Sequence, residues 1–348
     1  MTVTLADVAA RARVSPATVS RVLNGNYPVA ESTRERVLRA VADLDYVLNG
    51  PASSLAAAAS DLVGVLVNDI ADPFFGILAS AAQTAIGSGA SGRGGGEKLA
   101  VVCNTGGSPE RELTYLTLLQ QQRAAAVILT GGSLEDPRRL AATAAKLSRL
   151  AAAGTRVVLC GRPPVEGDAH TAALVFDHRT GARRLTEHLL GLGHRRIGYV
   201  AGPAGRTTTR HRLEGHREAL AAAGVAEGPT VHGPYERAAG HAAAAELLAR
   251  DPGLTAVVAC NDTVALGVRA ALGERGLDVP GDVSVAGFDD LPSALDAVPA
   301  LTTVRLPLHE AGARAGRLAT ASEEPPPGGL ATVPAELVVR GSTGRSRR

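Results

Sequence analysis

Six neighbouring side chains near the N-terminus, Ser15, Pro16, Ala17, Thr18, Ser20 and Arg21, have the types and spacing of a nucleic-acid reader. Five are small, which lets a helix backbone approach a groove floor closely. Arg21 is the one long donor, with a fork that fits the O6 and N7 edge of guanine. The hydroxyls of Ser15 and Thr18 suit phosphates or base edges. No comparable grouping suggests catalysis. His170, His178, His188 and His194 scatter without a nucleophile partner or zinc spacing, and Ser53-Ser54 lacks the glycine setting of a nucleophile elbow. Cys103, Cys160 and Cys260 each end an apolar run, where a small buried thiol is expected. The sequence therefore predicts no enzyme, no metal and no cofactor.

The elements that must carry the reader follow from apolar spacing. Leu5, Val8, Ala9 and Ala12 share one helical face, with Thr4 as N-cap and Asp7 three residues on. Ser15-Pro16 opens a second helix and Asn24-Gly25 closes it. A capping box at Ser32 and Glu35 opens a third, striped by Val37, Leu38, Val41 and Leu44. Two helices joined by Arg13-Val14-Ser15 have the dimensions of a helix-turn-helix, whose second helix enters the major groove. The same periodicity also suits a three-helix interaction module with Arg21 merely solvated. Charge does not choose between them: residues 1–60 hold six arginines against five acids.

Across all 348 residues the formal charge is only +2, from 36 basic and 34 acidic side chains, so any nucleic-acid contact is local. Hydrophobic residues form 45% and charged residues 20%, a globular balance. The opening MTVTLAD shows neither a basic nor an apolar leader region, and no apolar run is long enough to span a bilayer. A cytoplasmic protein without membrane contact is expected. Residues 47–60, VLNGPASSLAAAAS, have helix-forming composition but almost nothing with which to bury a face, so they read as a linker that needs a partner to become helical. From Leu62 onward eight apolar runs (LVGVLV, LAVVC, AAVILT, TRVVLC, AALVF, RRIGYVAG, AVVAC, VSVAGF) alternate with helical stretches. That pattern predicts parallel sheets covered on both faces, and more strands than one doubly wound sheet holds comfortably. The stretches 87–96 and 322–329 read as loops, and the tail as disordered.

The segment TLADVAARARVSPATVSRVLNGNYPVAESTRERVLRAVADLDY resembles the DNA-binding head of the LacI family of bacterial transcription regulators. The resemblance continues through DPFFGIL, LGHRRIGYVAGP, the R-x-R-x-x-G of Arg210 to Gly215, NDTVALGV, VPGDVSVAGFDD, PALTTVR and ELVVRGST. It implies an all-α helix-turn-helix head (1–47), a hinge (48–60) and a bilobal α/β body of two doubly wound parallel sheets, like the periplasmic binding proteins (61–340). The first lobe is expected at about 61–175 and 305–333, the second at about 176–304 and 334–342, and a disordered tail at 343–348.

In this family the linker becomes a helix on operator DNA and a leucine wedges into the minor groove. Leu55 matches that leucine and Ala52 its small neighbour. Ser53 stands where an arginine is usual, and Leu48 replaces the proline before Asn49. The implied DNA contacts are Thr4, Ser15, Pro16, Ala17, Thr18, Ser20, Arg21, Asn24, Asn49, Ala52, Ser53 and Leu55. Effector contacts are implied at strand ends: Asp72, Phe74 and Phe75; Thr130; Arg206, Thr208 and Arg210; Tyr235; Asn261 and Asp262; and Asp289. Their carboxylates, amide, guanidinium forks and aromatic faces suit a carbohydrate, although two arginines could equally select an acidic effector. For Arg210 and Asp289 the competing role is an ion pair within one lobe. The resemblance implies a homodimeric repressor on a pseudo-palindromic operator, controlled by a small effector between the lobes. A solute-binding receptor of the same fold is the competing reading; it would need an export signal, which is not expected here, and would leave the helical head idle.

Overall fold

The computed structural model describes residues 3–24, 28–46, 60–88, 98–164 and 171–347. They form two compact units, divided after Ser60.

The first unit holds helices α1 (Leu5–Ala12), α2 (Pro16–Asn24) and α3 (Glu31–Asp43) around Val8, Ala9, Ala12, Val19, Val37 and Ala40. Thr4 caps α1 as its sequence predicts. Its amide donates to Asp7 at 2.8 Å, and its hydroxyl accepts the Asp7 amide. Arg13 ends α1 in the left-handed region, with φ 52°. Ser15 then accepts the Thr18 amide at 3.2 Å and starts α2. The capping box expected at Ser32 and Glu35 does not form. Helix α3 begins two residues earlier than a Ser32 cap would give, at Glu31, and its N-cap, Ala30, has no polar side chain to cap with. Arg11 instead ties α1 to α3 through Asp43 at 2.7 Å.

The second unit contains two parallel sheets. In the first, strands β1 (Leu62–Val67), β2 (Leu99–Asn104), β3 (Ala126–Thr130), β4 (Arg156–Cys160), β5 (Thr171–Phe176) and β11 (Leu330–Val333) stand in the order β11-β5-β4-β3-β1-β2. Helices α4 (Pro73–Ser88), α5 (Pro109–Gln121) and α6 (Pro137–Ala152) connect its strands. In the second sheet, β6 (Ile197–Ala201), β7 (Thr230–His232), β8 (Ala256–Ala259) and β9 (Ser284–Ala286) stand in the order β7-β6-β8-β9. Its helices are α7 (His178–Gly191), α8 (Thr207–Ala222), α9 (Arg237–Arg250), α10 (Asp262–Glu274) and the short α11 (Pro292–Asp296). Strand reversal at β1 in one sheet and β6 in the other leaves crevices at the carboxyl ends, where open α/β sheets bind ligands.

The chain passes between the sheets three times. It leaves the first after β5, returns through β10 (Thr303–Arg305) to α12 (Leu308–Ala319), and leaves again from β11 to β12 (Glu336–Val338). Strands β10 and β12 pair antiparallel. Arg305, placed by sequence at the start of the returning first-lobe segment, stays with the second lobe through its bridge to Asp289. The helix α4 continues into the expected 87–96 loop as far as Ser88. The tail is tied down rather than loose: Gly344 donates to Ser284 at 3.0 Å, its carbonyl meets His194, and Ser346 donates to Leu192.

Candidate functional site

The carboxyl ends of both sheets open on a cleft of about 390 Å³. On the first-lobe side, Asp72 follows β1 and caps α4, accepting the Phe74 amide at 3.0 Å. Burial pushes its carboxyl above the usual aspartate range. Capping turns Phe74 and Phe75 toward the cleft, edge to face with ring centres 5.0 Å apart. Phe74 also meets Phe176 at 6.2 Å, at the end of β5.

The second lobe supplies the charged floor. Arg212, on α8, donates to Asp289 Oδ1 at 2.7 Å and also to the Cys260 carbonyl. Its guanidinium lies 3.9 Å from the centre of the Phe288 ring, a favourable cation–π arrangement. Burial pushes Asp289 up to about 6, opposed by the adjacent Arg212 charge. Asp289 has φ 104°, a conformation an L side chain holds only when its surroundings enforce it. Its amide donates to Val304 O at 2.8 Å, which supplies part of that enforcement.

His178 also lines the cleft, between Phe176 and Phe288 with ring centres 5.8 Å from each. Arg212 Nε donates to its Nδ1 at 3.3 Å. Burial, and then the Arg212 charge, hold the imidazole well below its usual range. The ring is therefore neutral, with its proton on Nε2. Asn261 caps α10 by accepting the Val264 amide at 2.9 Å and faces the cleft. Tyr235 lies against Gly202, where any Cβ would collide with its ring, and its hydroxyl meets Thr209 Oγ1 at 2.8 Å.

A strand-like clasp joins the lobes beside this floor. Leu134 and Arg206 form an antiparallel bridge. Thr207 N donates to Ser133 O at 3.0 Å, and Ser133 N returns a bond to Thr207 Oγ1 at 3.1 Å. Arg206 Nη2 reaches Gly107 O at 3.1 Å, and Arg210 pairs with Glu135.

Eight of the eleven sequence-predicted effector residues line the cleft: Asp72, Phe74, Phe75, Arg206, Thr208, Tyr235, Asn261 and Asp289. Three do not. Thr130 is buried, and its hydroxyl donates to Leu66 O across the sheet at 2.8 Å. Asp262 is wholly buried beneath the floor, where it accepts the Thr303 hydroxyl at 2.6 Å and the Leu291 amide at 2.7 Å. Burial raises its carboxyl to about 8. Arg210 points outward to Glu135 and Glu214, and the arginine that pairs with Asp289 is Arg212, two residues on.

Arg212 had a legible signal. Thr209, Arg212, Leu213, His216 and Leu220 fall on one helical stripe, and all are buried, whereas Arg210 lies off it. Phe176 and His178 were not selected because their place in the cleft depends on the chain crossing between lobes. Asn68, Asp69 and Glu236 complete the polar rim.

In the head, Pro16, Ala17 and Arg21 are exposed on α2, and Thr18 and Ser20 are half-buried. Ser15 is exposed too, its hydroxyl 2.9 Å from that of Thr18. Asn24 ends the helix. Asn49, Ala52, Ser53 and Leu55 lie outside the described residues.

Family comparisons agree with both units. Residues 4–49 match the model of the bacterial regulatory proteins of the lacI family, and 186–343 match that of the periplasmic binding protein-like domain. The transcriptional regulator GalS of Salmonella typhimurium is 37% identical over 88% of this chain and 86% of its own. The regulator MalR of Streptomyces coelicolor is 38% identical over 99% and 97%. This chain belongs to the LacI family of bacterial regulatory proteins. As a LacI-family member it is a helix-turn-helix transcriptional regulator. A lac repressor dimer bound to operator and the anti-inducer ONPF superimposes with a TM-score of 0.78 at 28% identity, covering 99% of this chain and 100% of that one. A complex of the regulator CelR with cellobiose gives 0.67 at 32% identity, covering 98% and 99%.

The family match thus replaces the open choice between DNA reader and generic helical module. Among the described residues no helix is long and apolar enough to cross a membrane.

Proposed function

We propose that this regulator is a cytoplasmic homodimeric repressor, without catalytic activity, that binds a pseudo-palindromic operator and is controlled by a neutral carbohydrate seated between its lobes. One observation carries the effector assignment: the buried Arg212–Asp289 pair lies at the floor of a cleft walled by Phe74, Phe75 and Tyr235, at the ends of both sheets. Carboxylate, guanidinium and amide groups in that setting exchange hydrogen bonds with vicinal hydroxyls, while aromatic faces cover sugar C–H surfaces.

The charge count favours a neutral ligand over an acidic one. Two arginines, Arg206 and Arg212, line the cleft against four carboxylates, Asp69, Asp72, Glu236 and Asp289. Arg212 is already matched by Asp289, so no arginine pair stands ready for a phosphate. A relative of 32% identity, the regulator CelR, is solved with the neutral sugar cellobiose, which supports this reading.

In the head, the exposed start of α2 enters the major groove, with Arg21 reading a base edge. Leu55 of the hinge wedges the minor groove. The effector acts by binding one lobe arrangement better than the other, since equal affinity for both would shift nothing.

Fluorescence anisotropy on DNA from the protein's own promoter region, with and without a panel of neutral sugars and sugar phosphates, tests this function. Sequence-specific binding released by a neutral sugar is expected. Absence of specific binding under every condition defeats the regulator assignment on this DNA, and response only to phosphorylated sugars defeats the neutral-ligand assignment.

A further inference from the structure

A second cavity, also about 390 Å³, adjoins the effector cleft. The two share Asn68, Gly107, Gly132 and Arg206, and Arg206 is the partition: its guanidinium closes the neck by donating to Gly107 O at 3.1 Å. The neck is built for close approach. A Cβ on Gly132 would collide with the hydroxyls of Thr207 and Thr208.

The chemistry of the two spaces differs. Among the described residues no aromatic side chain lines the second one; its apolar walls are Leu134, Leu140, Leu147, Leu159, Pro109 at the start of α5, and Pro163 and Pro164 beyond β4. Its charged side chains already have partners. Arg162 holds Glu112 through two bonds of 3.0 and 2.6 Å and gives its Nε to Gly131 O. Arg139 is paired with Glu110 and Asp136. Ser108 Oγ donates to Glu110 and accepts the Arg111 amide.

The first half of α6 forms one wall. Its Leu140 is 42% exposed, although a leucine facing a concave space would gain from a partner.

We infer that the second cavity is an aglycone compartment: the effector carries an apolar substituent on its hydroxylated head, and that substituent passes Arg206 into the space walled by Leu140, Leu147 and Leu159. This rests on the assignment of the cleft to a carbohydrate. The lining that the two spaces share argues for one ligand occupying both, with Arg206 giving up its bond to Gly107 O. The aliphatic walls and internally satisfied charges argue that the part beyond the neck is apolar rather than a second sugar ring.

Isothermal titration calorimetry of the full-length protein with matched methyl and phenyl β-glycosides of glucose, galactose, mannose and ribose tests the proposal. Phenyl glycosides of the recognised sugar are expected to bind at least about tenfold tighter than methyl ones, corresponding to about 1.4 kcal/mol. Ala144→Phe, which fills the compartment from the half-buried face of α6, removes that advantage and leaves methyl-glycoside affinity unchanged. Leu140→Gln, at a side chain already partly in solvent, reduces it without disturbing the fold.

Equal affinity of phenyl and methyl partners overturns the compartment. So does a phenyl advantage that survives Ala144→Phe, because the ring then sits against the aromatic side chains of the cleft. Failure of every glycoside, methyl and phenyl alike, overturns the carbohydrate reading of the cleft itself and the compartment with it.

Discussion

Arg212 and Asp289 form a hydrogen-bonded ion pair at 2.7 Å with side chains only 3% and 4% exposed, linking α8 to the turn after β9. Burying both charges requires each to satisfy the other, and removing one leaves the partner stranded. Losing one member of a buried pair typically costs about 3–5 kcal/mol. Asp289→Ala and Arg212→Ala should therefore each lower the melting temperature of the body, abolish the sugar response and leave operator binding in place. The double substitution Arg212→Met with Asp289→Leu should recover much of the stability but none of the response. Melting curves and DNA anisotropy on the same preparations check this. A mutant that still answers the sugar normally would remove the pair from the effector site.

Effector affinity should depend on acid. Burial has raised Asp289 to about 6, with Arg212 opposing the rise. The ionised carboxylate accepts sugar hydroxyls and holds Arg212; the protonated one does neither fully. Affinity should fall as pH drops through about 6, and Asp289→Asn should flatten that part of the profile. Calorimetric titrations from about one pH unit below that transition to about two units above it supply the measurement. A wild-type profile that stays flat is the contrary result.

Stability should show acid loss from a different residue. His216 is buried against Tyr199, with Nδ1 2.9 Å from Thr186 Oγ1, and burial lowers it to about 4. A histidine held neutral in the fold takes up a proton on unfolding once pH falls below its ordinary value. Its contribution is complete above about 6.5 and is lost as pH falls toward 4, a swing of about 3 kcal/mol. Thermal melts of wild type and His216→Gln across this window should differ in slope, with the variant losing less on acidification.

Arg210 and Arg212 sit two residues apart on α8 and should behave oppositely. Arg210 is exposed and pairs with Glu135 across the lobes, an arrangement worth about 0–1 kcal/mol. Arg210→Ala should change sugar affinity by no more than about fivefold, whereas Arg212→Ala should abolish measurable binding. Comparable losses at both positions would mean that the clasp, rather than the buried pair, governs ligand capture.

Much of this site was legible because strand ends are legible. The runs LVGVLV, RRIGYVAG and AVVAC marked where β1, β6 and β8 stop, and Asp72, Arg206 and Asn261 follow from there. Side-chain direction was harder. Asp262 adjoins Asn261 in sequence, yet the helix start turns it beneath the floor to Thr303 and Leu291, residues remote in the chain. Strands β7, β10, β11 and β12 were not anticipated. They span three or four residues each, too few for an apolar period, and they exist through pairing with distant partners. The second cavity had no sequence signal, since its lining gathers residues from five separate stretches of the chain, from Asn68 to Arg206.

DNA recognition should separate into a base-reading part and a wedging part. Arg21 is exposed on α2, the helix that Ser15 starts and Asn24 ends. A guanidinium reading guanine is worth about 1–3 kcal/mol of discrimination, so Arg21→Ala should weaken operator binding by roughly tenfold or more while relaxing preference at one base pair in each half-site. Leu55→Ala should act differently, weakening specific binding far more than non-specific binding, because an intercalated side chain matters only where the duplex is kinked. Anisotropy titrations on operator, single-base variants and random DNA at fixed salt resolve the two patterns. Equal loss on operator and random DNA for Leu55→Ala would remove the wedge, and an unchanged base preference for Arg21→Ala would leave that arginine as a phosphate contact.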